Sequence, residues 1–297
     1  MSDVLLLCTL NRPVEVRTCL ESVRAQTHVP DRVLVVDAST DDATRAVVEE
    51  LTTAWPIGSL AYDRAERGII RQRGRGVELT DEDIVHFVDD DTVLESGYFA
   101  AIIEAFAEDA DGSIGGVGGF VTNQPPHRFR RVDTWLGLDS SREGVVLPSG
   151  RNTRIYTEPH STLDVDWLSG CSMSFRREVF VTEGFDVTAP RTGEDVQFSY
   201  RVRQHWRLVV TPMARIAHYE SPRERMAREL LVRSELVSRH ARVRAGTGRL
   251  SRRAFWVSAL GQFVWYGAKG LVTLSRDRLV IAKQTAAGMV AIVRNRG

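Results

Sequence analysis

The sequence predicts an α/β protein built on a doubly wound, mostly parallel sheet. Continuous apolar runs of strand length alternate with segments whose apolar residues recur at helical spacing. Three of those runs also end in polar or acidic residues, as the strands of such sheets do where a ligand sits beyond their carboxyl ends.

The elements follow in order. Val4–Cys8 is apolar throughout, the pattern of a strand buried on both faces. Pro13 suits the first turn of a helix, and Val16, Leu20 and Val23 give the segment 14–26 one apolar face. Val33–Val36 is a second buried strand, ending at Asp37. Thr40, Asp41 and Asp42 are capping residues for a helix through Ala43, Val47, Val48 and Leu51. Ser59–Tyr62 is a short third strand, and 68–79 is helical in outline, weakened by Gly74 and Gly76. Ile84–Val88 is a fourth strand running into Asp89, Asp90 and Asp91, followed by a helix over 96–106. The glycine-rich stretch 114–120 reads as a strand with close approaches. The polar stretch 124–159 reads as a mobile loop near an acceptor or as a surface insertion. Glu194 and Asp195 open an amphipathic helix, strands follow at 207–211 and 214–219, and the tail is helical over 223–245, 254–274 and 279–293.

The 297 residues are 43% hydrophobic, enough for a core, and the formal net charge is zero, which argues against a nucleic-acid partner. The balance conceals an asymmetry. Residues 221–297 hold 16 basic and 4 acidic side chains, net +12, whereas residues 1–220 hold 23 and 35, net −12. Three cysteines without paired spacing support neither a disulfide framework nor a zinc site. A reduced, cytoplasmic setting fits that count, and Val4–Cys8 is too short for a signal peptide.

Three adjacent carboxylates repel one another and gain nothing by themselves, so Asp89–Asp91 calls for a cation or serves as a solvated, capping loop. Glu194 and Asp195 either cap their helix or supply a general base. His218 gains meaning only if the aspartates lie near it.

Taken together, these segments resemble the family-2 glycosyltransferases from about Val4 to Ser221. The stretch Cys8–Pro13, continuing to Asp37, the stretch Gly68–Gly76 with Arg73, the run Phe87–Asp91, and Trp167–Cys171 followed by Gly193–Asp195 carry the resemblance. It implies the Rossmann-like GT-A fold over 1–221, with 222–297 as a basic, partly apolar helical extension. It implies donor contacts from Thr9, Asn11, Arg12, Asp37, Arg73, Asp89 and Asp90. It also implies a divalent metal, Mg²⁺ or Mn²⁺, on Asp91 and Asp89 with His218 as a further ligand. Trp167, Gly170 and Cys171 fall on the acceptor side, and Asp195, with Glu194, in the place of the base. Ala38 and Gly74 depart from the family's usual residues and leave the donor nucleotide open.

The activity implied is inverting transfer from a nucleotide-diphospho-sugar to a hydroxyl of a glycan or lipid-linked acceptor. A sugar-phosphate nucleotidyltransferase is the alternative, disfavoured because Thr9–Pro13 lacks glycine; a non-catalytic nucleotide-sugar binder at a membrane is another. In the tail, the aromatic stretch 255–266 flanked by arginines suits an interfacial helix on an anionic membrane, on the inner face of the cell membrane, better than a spanning one. A lid or a homodimer contact through these helices is the competing reading.

Overall fold

In the computed structural model of the chain, residues 1–56, 58–125, 131–186, 192–221 and 227–294 are described. The first part alternates as the sequence predicts: β1 (Asp3–Thr9), α1 (Pro13–Arg24), β2 (Arg32–Asp37), α2 (Ala43–Thr52), β3 (Ser59–Arg64), α3 (Ile69–Glu78) and β4 (Ile84–Asp89). Then come β5 (Thr92–Leu94), α4 (Tyr98–Ala107), β6 (Ile114–Val121), α5 (Arg131–Trp135), β7 (Leu163–Val165), β8 (Ser172–Arg176) and α6 (Val179–Thr182). The chain ends with α7 (Glu194–Val202), β9 (Arg207–His218), α8 (Arg228–Ala245), α9 (Arg252–Val272) and α10 (Arg276–Arg294).

The chain forms two compact units, and they are not the contiguous segments 1–221 and 222–297. The first holds 1–126, 155–187 and 198–225; the second holds 127–154, 188–197 and 226–297. The boundary falls inside α7. The polar stretch expected as a loop thus contributes α5 and a bridge between Val146 and Asn152 to the second unit. Residues 126–130, with Arg128 and Arg130, and 223–226 at the start of the expected helix lie outside the described residues.

In the first unit the strand order is β3-β2-β1-β4-β8-β6-β9-β5, with β7 also paired to β9. The β3-β2-β1-β4 half is parallel. The other half is mixed, with β8 antiparallel to both β4 and β6 and β9 parallel to β6. Alternation along β1 explains its unbroken apolar run. Leu5 and Leu7 enter a core with α1, α2 and α4, whereas Val4, Leu6 and Cys8 enter a core on the opposite face with Phe175, Phe198 and Val202. The order of strand addition reverses at β1: the chain runs outward to β2 and β3 on one side and then returns to place β4 on the other. This switch point is where crevices form in open α/β sheets.

Glycines in β6 admit bulky neighbours. A Cβ on Gly119 would stand 2.6 Å from the Ala214 carbonyl oxygen and 2.7 Å from Tyr98 Cε2. The two short strands expected at 207–211 and 214–219 are one strand, β9, whose register against β6 slips between Gly119 and Phe120. Pro212 lies in that slip. Beyond it the strand continues to His218, which pairs with Thr92 of β5.

In the second unit α8, α9 and α10 enclose a small core of Leu236, Val243, Phe255, Ala259 and Ile292. Ser251 caps α9 by accepting from Ala254 N at 3.3 Å, and Gly246 ends α8 in the left-handed conformation at φ 73°. No helix among the described residues is long and apolar enough to cross a membrane.

The β6 packing makes a stability prediction. Gly119→Ala should destabilise the protein by about 1–3 kcal/mol in urea unfolding, because a backbone oxygen cannot move aside cheaply. Gly97→Ala, where a Cβ would meet open space, should stay within about 0.5 kcal/mol of the wild type. Equal losses for the two would contradict this packing account.

Candidate active site

Three adjacent aspartates at the end of β4 receive three different environments. The side chain of Asp89 is 34% exposed and faces Arg73, whose Nη2 lies 3.6 Å from Asp89 Oδ1. Asp90 is buried, accepting from Thr9 Oγ1 at 2.6 Å and Arg12 Nη1 at 2.8 Å. Asp91 is buried as well. It accepts from His218 Nε2 at 2.9 Å and Ser221 N at 2.7 Å, with Arg12 Nη1 at 3.4 Å. The β5–β9 pairing makes this meeting possible, because Thr92 opposite His218 puts the end of β9 beside the aspartates. Tyr219 N then donates to Asp91 O at 2.9 Å, and Glu220 turns at φ 30° to aim Ser221 N at the carboxylate.

The charges follow from these contacts. Burial pushes the Asp90 carboxyl up to about 6, against the pull of Arg12 and Thr9. Burial also opposes ionisation of Asp91, but His218, Ser221 N and Arg12 outweigh it and hold that carboxyl well below the usual range. Burial disfavours the His218 imidazolium, yet Asp91, Cys171 and Asp89 together raise it to about 11.

Asp89, Asp91 and His218 each offer a ligand atom, and these atoms lie within 4.8 Å of one another. The donor set fits a divalent cation: two carboxylate oxygens and one imidazole nitrogen, with Asp89 opening toward solvent. Asp90 is not part of this group, since its oxygens are committed to Thr9 and Arg12.

A second cluster sits at the ends of β1 and β2. Asp37 is wholly buried; its Oδ1 accepts from Ser39 N at 2.8 Å and from Ser39 Oγ, and its Oδ2 accepts from Tyr62 OH at 2.9 Å. Asn11, at φ 54°, donates its N–H to Ser39 Oγ at 2.7 Å, and its Oδ1 accepts from Thr40 N at 2.9 Å. Gln72 ties this edge together by donating to Thr9 O and Val36 O, both at 2.8 Å. Arg73, its neighbour on α3, reaches Gly170 O at 3.3 Å. Thr9, Asn11, Arg12, Asp37, Arg73, Asp89, Asp90, Asp91, Gly170, Cys171 and His218 therefore occupy one end of the sheet. Trp167 is buried in the link between β7 and β8. Glu194 and Asp195 lie in the first turn of α7, where Asp195 Oδ1 accepts from Val196 N at 2.8 Å. They belong to the second unit and not to the carboxylate–histidine group.

Sequence reasoning missed Ser221, Gln72, Ser39 and Tyr62. Gln72 left a signal, as a polar residue on the inward side of α3 beside Arg73. Ser221 left none, because only the arrival of β9 brings its N–H to Asp91.

The glycosyl transferase family 2 model matches residues 5–180. The chain belongs to this family. Its members transfer sugars, so the protein is a glycosyltransferase, and its fold is GT-A. Glucosyl-dolichyl phosphate glucuronosyltransferase of Haloferax volcanii is 29% identical over 181 residues, 59% of this chain and 52% of that protein. This glycosyltransferase thus spans about half the length of that relative. The mannosyltransferase PcManGT of Pyrobaculum calidifontis, solved with GDP-Man and Mn²⁺, superposes with a TM-score of 0.60 at 15% identity, covering 99% of this chain and 86% of that one. TarS 1–349 of S. aureus with UDP-GlcNAc also gives 0.60 at 15% identity, covering 97% and 79%.

The charge state of His218 generates a prediction. Without metal it is protonated at neutral pH, and only its neutral ring can ligate. Metal binding must expel that proton, so Mn²⁺ affinity should rise about tenfold per pH unit between pH 6 and 8. Calorimetry in buffers of different ionisation heat should show about one proton released. A flat profile with no proton release would mean that His218 stays an imidazolium beside Asp91 and is not a ligand.

Proposed function

We propose that this glycosyltransferase moves a sugar from a nucleotide-diphospho-sugar to a hydroxyl of a glycan or lipid-linked acceptor, with inversion and with a divalent metal. The observation that carries the reading is the convergence of Asp89, Asp91 and His218 at the sheet's switch point, with Arg73 and Arg12 beside them. Imidazole in the donor set favours Mn²⁺ over Mg²⁺, which prefers oxygen ligands and retains its waters. The Mn²⁺ in the P. calidifontis mannosyltransferase structure agrees with that preference.

In the transfer, the acceptor oxygen bonds to the anomeric carbon as the bond to the β-phosphate oxygen breaks. The electron pair leaves with the nucleoside diphosphate. A metal on Asp89, Asp91 and His218 would neutralise charge growing on that diphosphate. Arg73 supplies a fixed positive charge on the same side. Thr9 and Arg12 act through Asp90: by fastening the middle aspartate they hold its two neighbours in place. Asp37 orients Ser39 and Tyr62 at the nucleoside end of the edge. Asp195 takes the acceptor proton as the new bond forms; its position at the start of α7 and its match to the family's base support this role.

The acceptor is presented at a membrane surface. Val257, Leu260, Val264 and Leu271 form an exposed apolar stripe along α9, and Val272 and Leu274 at its end are 84% and 87% exposed. Arg252, Arg253, Arg276 and Arg278 flank the stripe, an arrangement suited to anionic lipid headgroups. The relative named for a dolichyl phosphate substrate adds weight to a lipid-linked acceptor. A homodimer through the same helices is the competing arrangement.

Nucleotide release from a panel of nucleotide-sugars, with and without Mn²⁺, tests the reaction class. Metal-dependent release with at least one donor is expected; sugar-1-phosphate consumption without nucleotide-sugar turnover would indicate a nucleotidyltransferase instead. Asp195→Asn should keep donor affinity and lose about 10²–10⁴-fold in kcat. Lost affinity with an intact saturated rate would make Asp195 a binding group. On vesicles, the full chain should co-sediment with anionic bilayers and not neutral ones, and Leu260→Glu with Val264→Glu should abolish that binding. Failure to bind either bilayer would remove the membrane reading while leaving the chemistry standing.

A further inference from the structure

Two guanidinium groups of the second unit converge on one neutral oxygen. Gln262 Oε1 accepts from Arg151 Nη1 at 3.0 Å and from Arg239 Nη1 at 3.5 Å. Gln262 Nε2 donates to Thr285 Oγ1 at 3.1 Å, which holds the amide with its oxygen toward the arginines. Arg239 is 2% exposed. Its Nη2 donates to Ser258 Oγ at 2.9 Å and to Ser149 O at 3.5 Å, its guanidinium lies 5.7 Å from the Phe255 ring centroid, and its Nε meets no acceptor. A third cation, Arg242, follows on α8, buried and donating to Gly150 O and Gly193 O.

Among the described residues, neither Arg151 nor Arg239 has a carboxylate at ion-pair distance; their acceptors are amide, hydroxyl and carbonyl oxygens. Glu235, one turn earlier on α8, attracts Arg239 only through space. Burial, with Arg151 and Arg242 adding to it, brings the Arg239 guanidinium down to about 9. Buried like charges without a counterion are costly, and ordinary packing favours an apolar replacement at such a place. Two guanidiniums sharing one acceptor instead match the several oxygens of a phosphate, which arginine donors hold by charge-assisted hydrogen bonds.

We propose that Arg151 and Arg239 form a binding site for a phosphate monoester within the helical unit. Arg151 is half-buried and gives the site its edge at the surface, so the phosphate enters from that side and takes the place of the Gln262 amide oxygen as shared acceptor. The phosphate is either free in solution or the headgroup of a lipid carrier. Every residue involved belongs to the second unit, so the inference does not rest on the assignment of the metal group or of the donor.

The test is calorimetric titration of the full chain with inorganic phosphate and, separately, with geranyl phosphate. Chelator is present so that no metal recruits phosphate elsewhere, and ionic strength is held constant with chloride. Saturable binding of at least one ligand is expected. Arg151→Gln should weaken it by on the order of tenfold or more, the loss of one charge-assisted hydrogen-bond pair. Arg73→Gln should leave it unchanged. Tighter binding of geranyl phosphate than of inorganic phosphate supports a lipid headgroup as the source, and equal binding supports the phosphate group alone. Arg151 is partly exposed, so its variant is expected to fold; the unfolding midpoint is measured alongside, and Arg239→Lys provides a second variant that keeps the charge but loses the fork. Absence of saturable binding to both ligands overturns the proposal, as does binding that survives Arg151→Gln but is lost in Arg73→Gln.

Discussion

The repulsion among three consecutive carboxylates at the end of one buried strand is the constraint around which the carboxyl end of the parallel strands is arranged. Asp89, Asp90 and Asp91 cannot share a single environment, and the fold gives each its own partners. Arg12 reaches two of them from the start of α1, Thr9 fastens the middle one from β1, and Arg73 approaches the first from α3. His218 and Ser221 hold the third from the far end of β9. Elements from both halves of the sheet are thereby tied to one loop. The mixed half exists in part to bring β9, against β5, to that place. The cost of burying Asp90 and Asp91 is met by charge-assisted hydrogen bonds, which are stronger in a dry site than in water.

The same arrangement prepares a cation site. Two acidic oxygens and an imidazole are held close together, and the imidazole is charged while no metal competes for the ring nitrogen. On the proposed reading a proton serves as a placeholder, and a bound divalent metal would replace one positive charge with two. Asp90 contributes by geometry alone: its neighbours keep their positions because it is bound on both sides.

Much of the first unit was legible in the sequence. Buried strands announce themselves as unbroken apolar runs, and Asp37 and Asp89–Asp91 mark the ends of β2 and β4 directly. The two strands expected at 207–211 and 214–219 left a gap at Pro212 and Met213, and that is where the single strand β9 slips in register against β6. The contacts of Arg12 and Ser221 were not legible, since they depend on segments 78 and 130 residues away in the chain. The burial of Asp37 was hidden for the same reason: Tyr62 reaches it from a neighbouring strand, so a residue expected among the donor contacts is bonded to protein partners. The membership of the helical unit was also hidden. Its inclusion of 127–154 rests on bonds such as Ser258 Oγ to Gly137 O and Arg239 to Ser149 O, which no local pattern encodes.

The central claim is that Asp89, Asp91 and His218 hold one metal ion. Pulsed electron paramagnetic resonance of Mn²⁺ bound to protein carrying ¹⁵N-histidine tests it most directly. The account predicts a strong coupling to one directly bound histidine nitrogen, absent in His218→Gln, and weak or no Mn²⁺ binding in Asp91→Asn. Tight Mn²⁺ binding with no histidine coupling, or binding undiminished in Asp91→Asn, would contradict it.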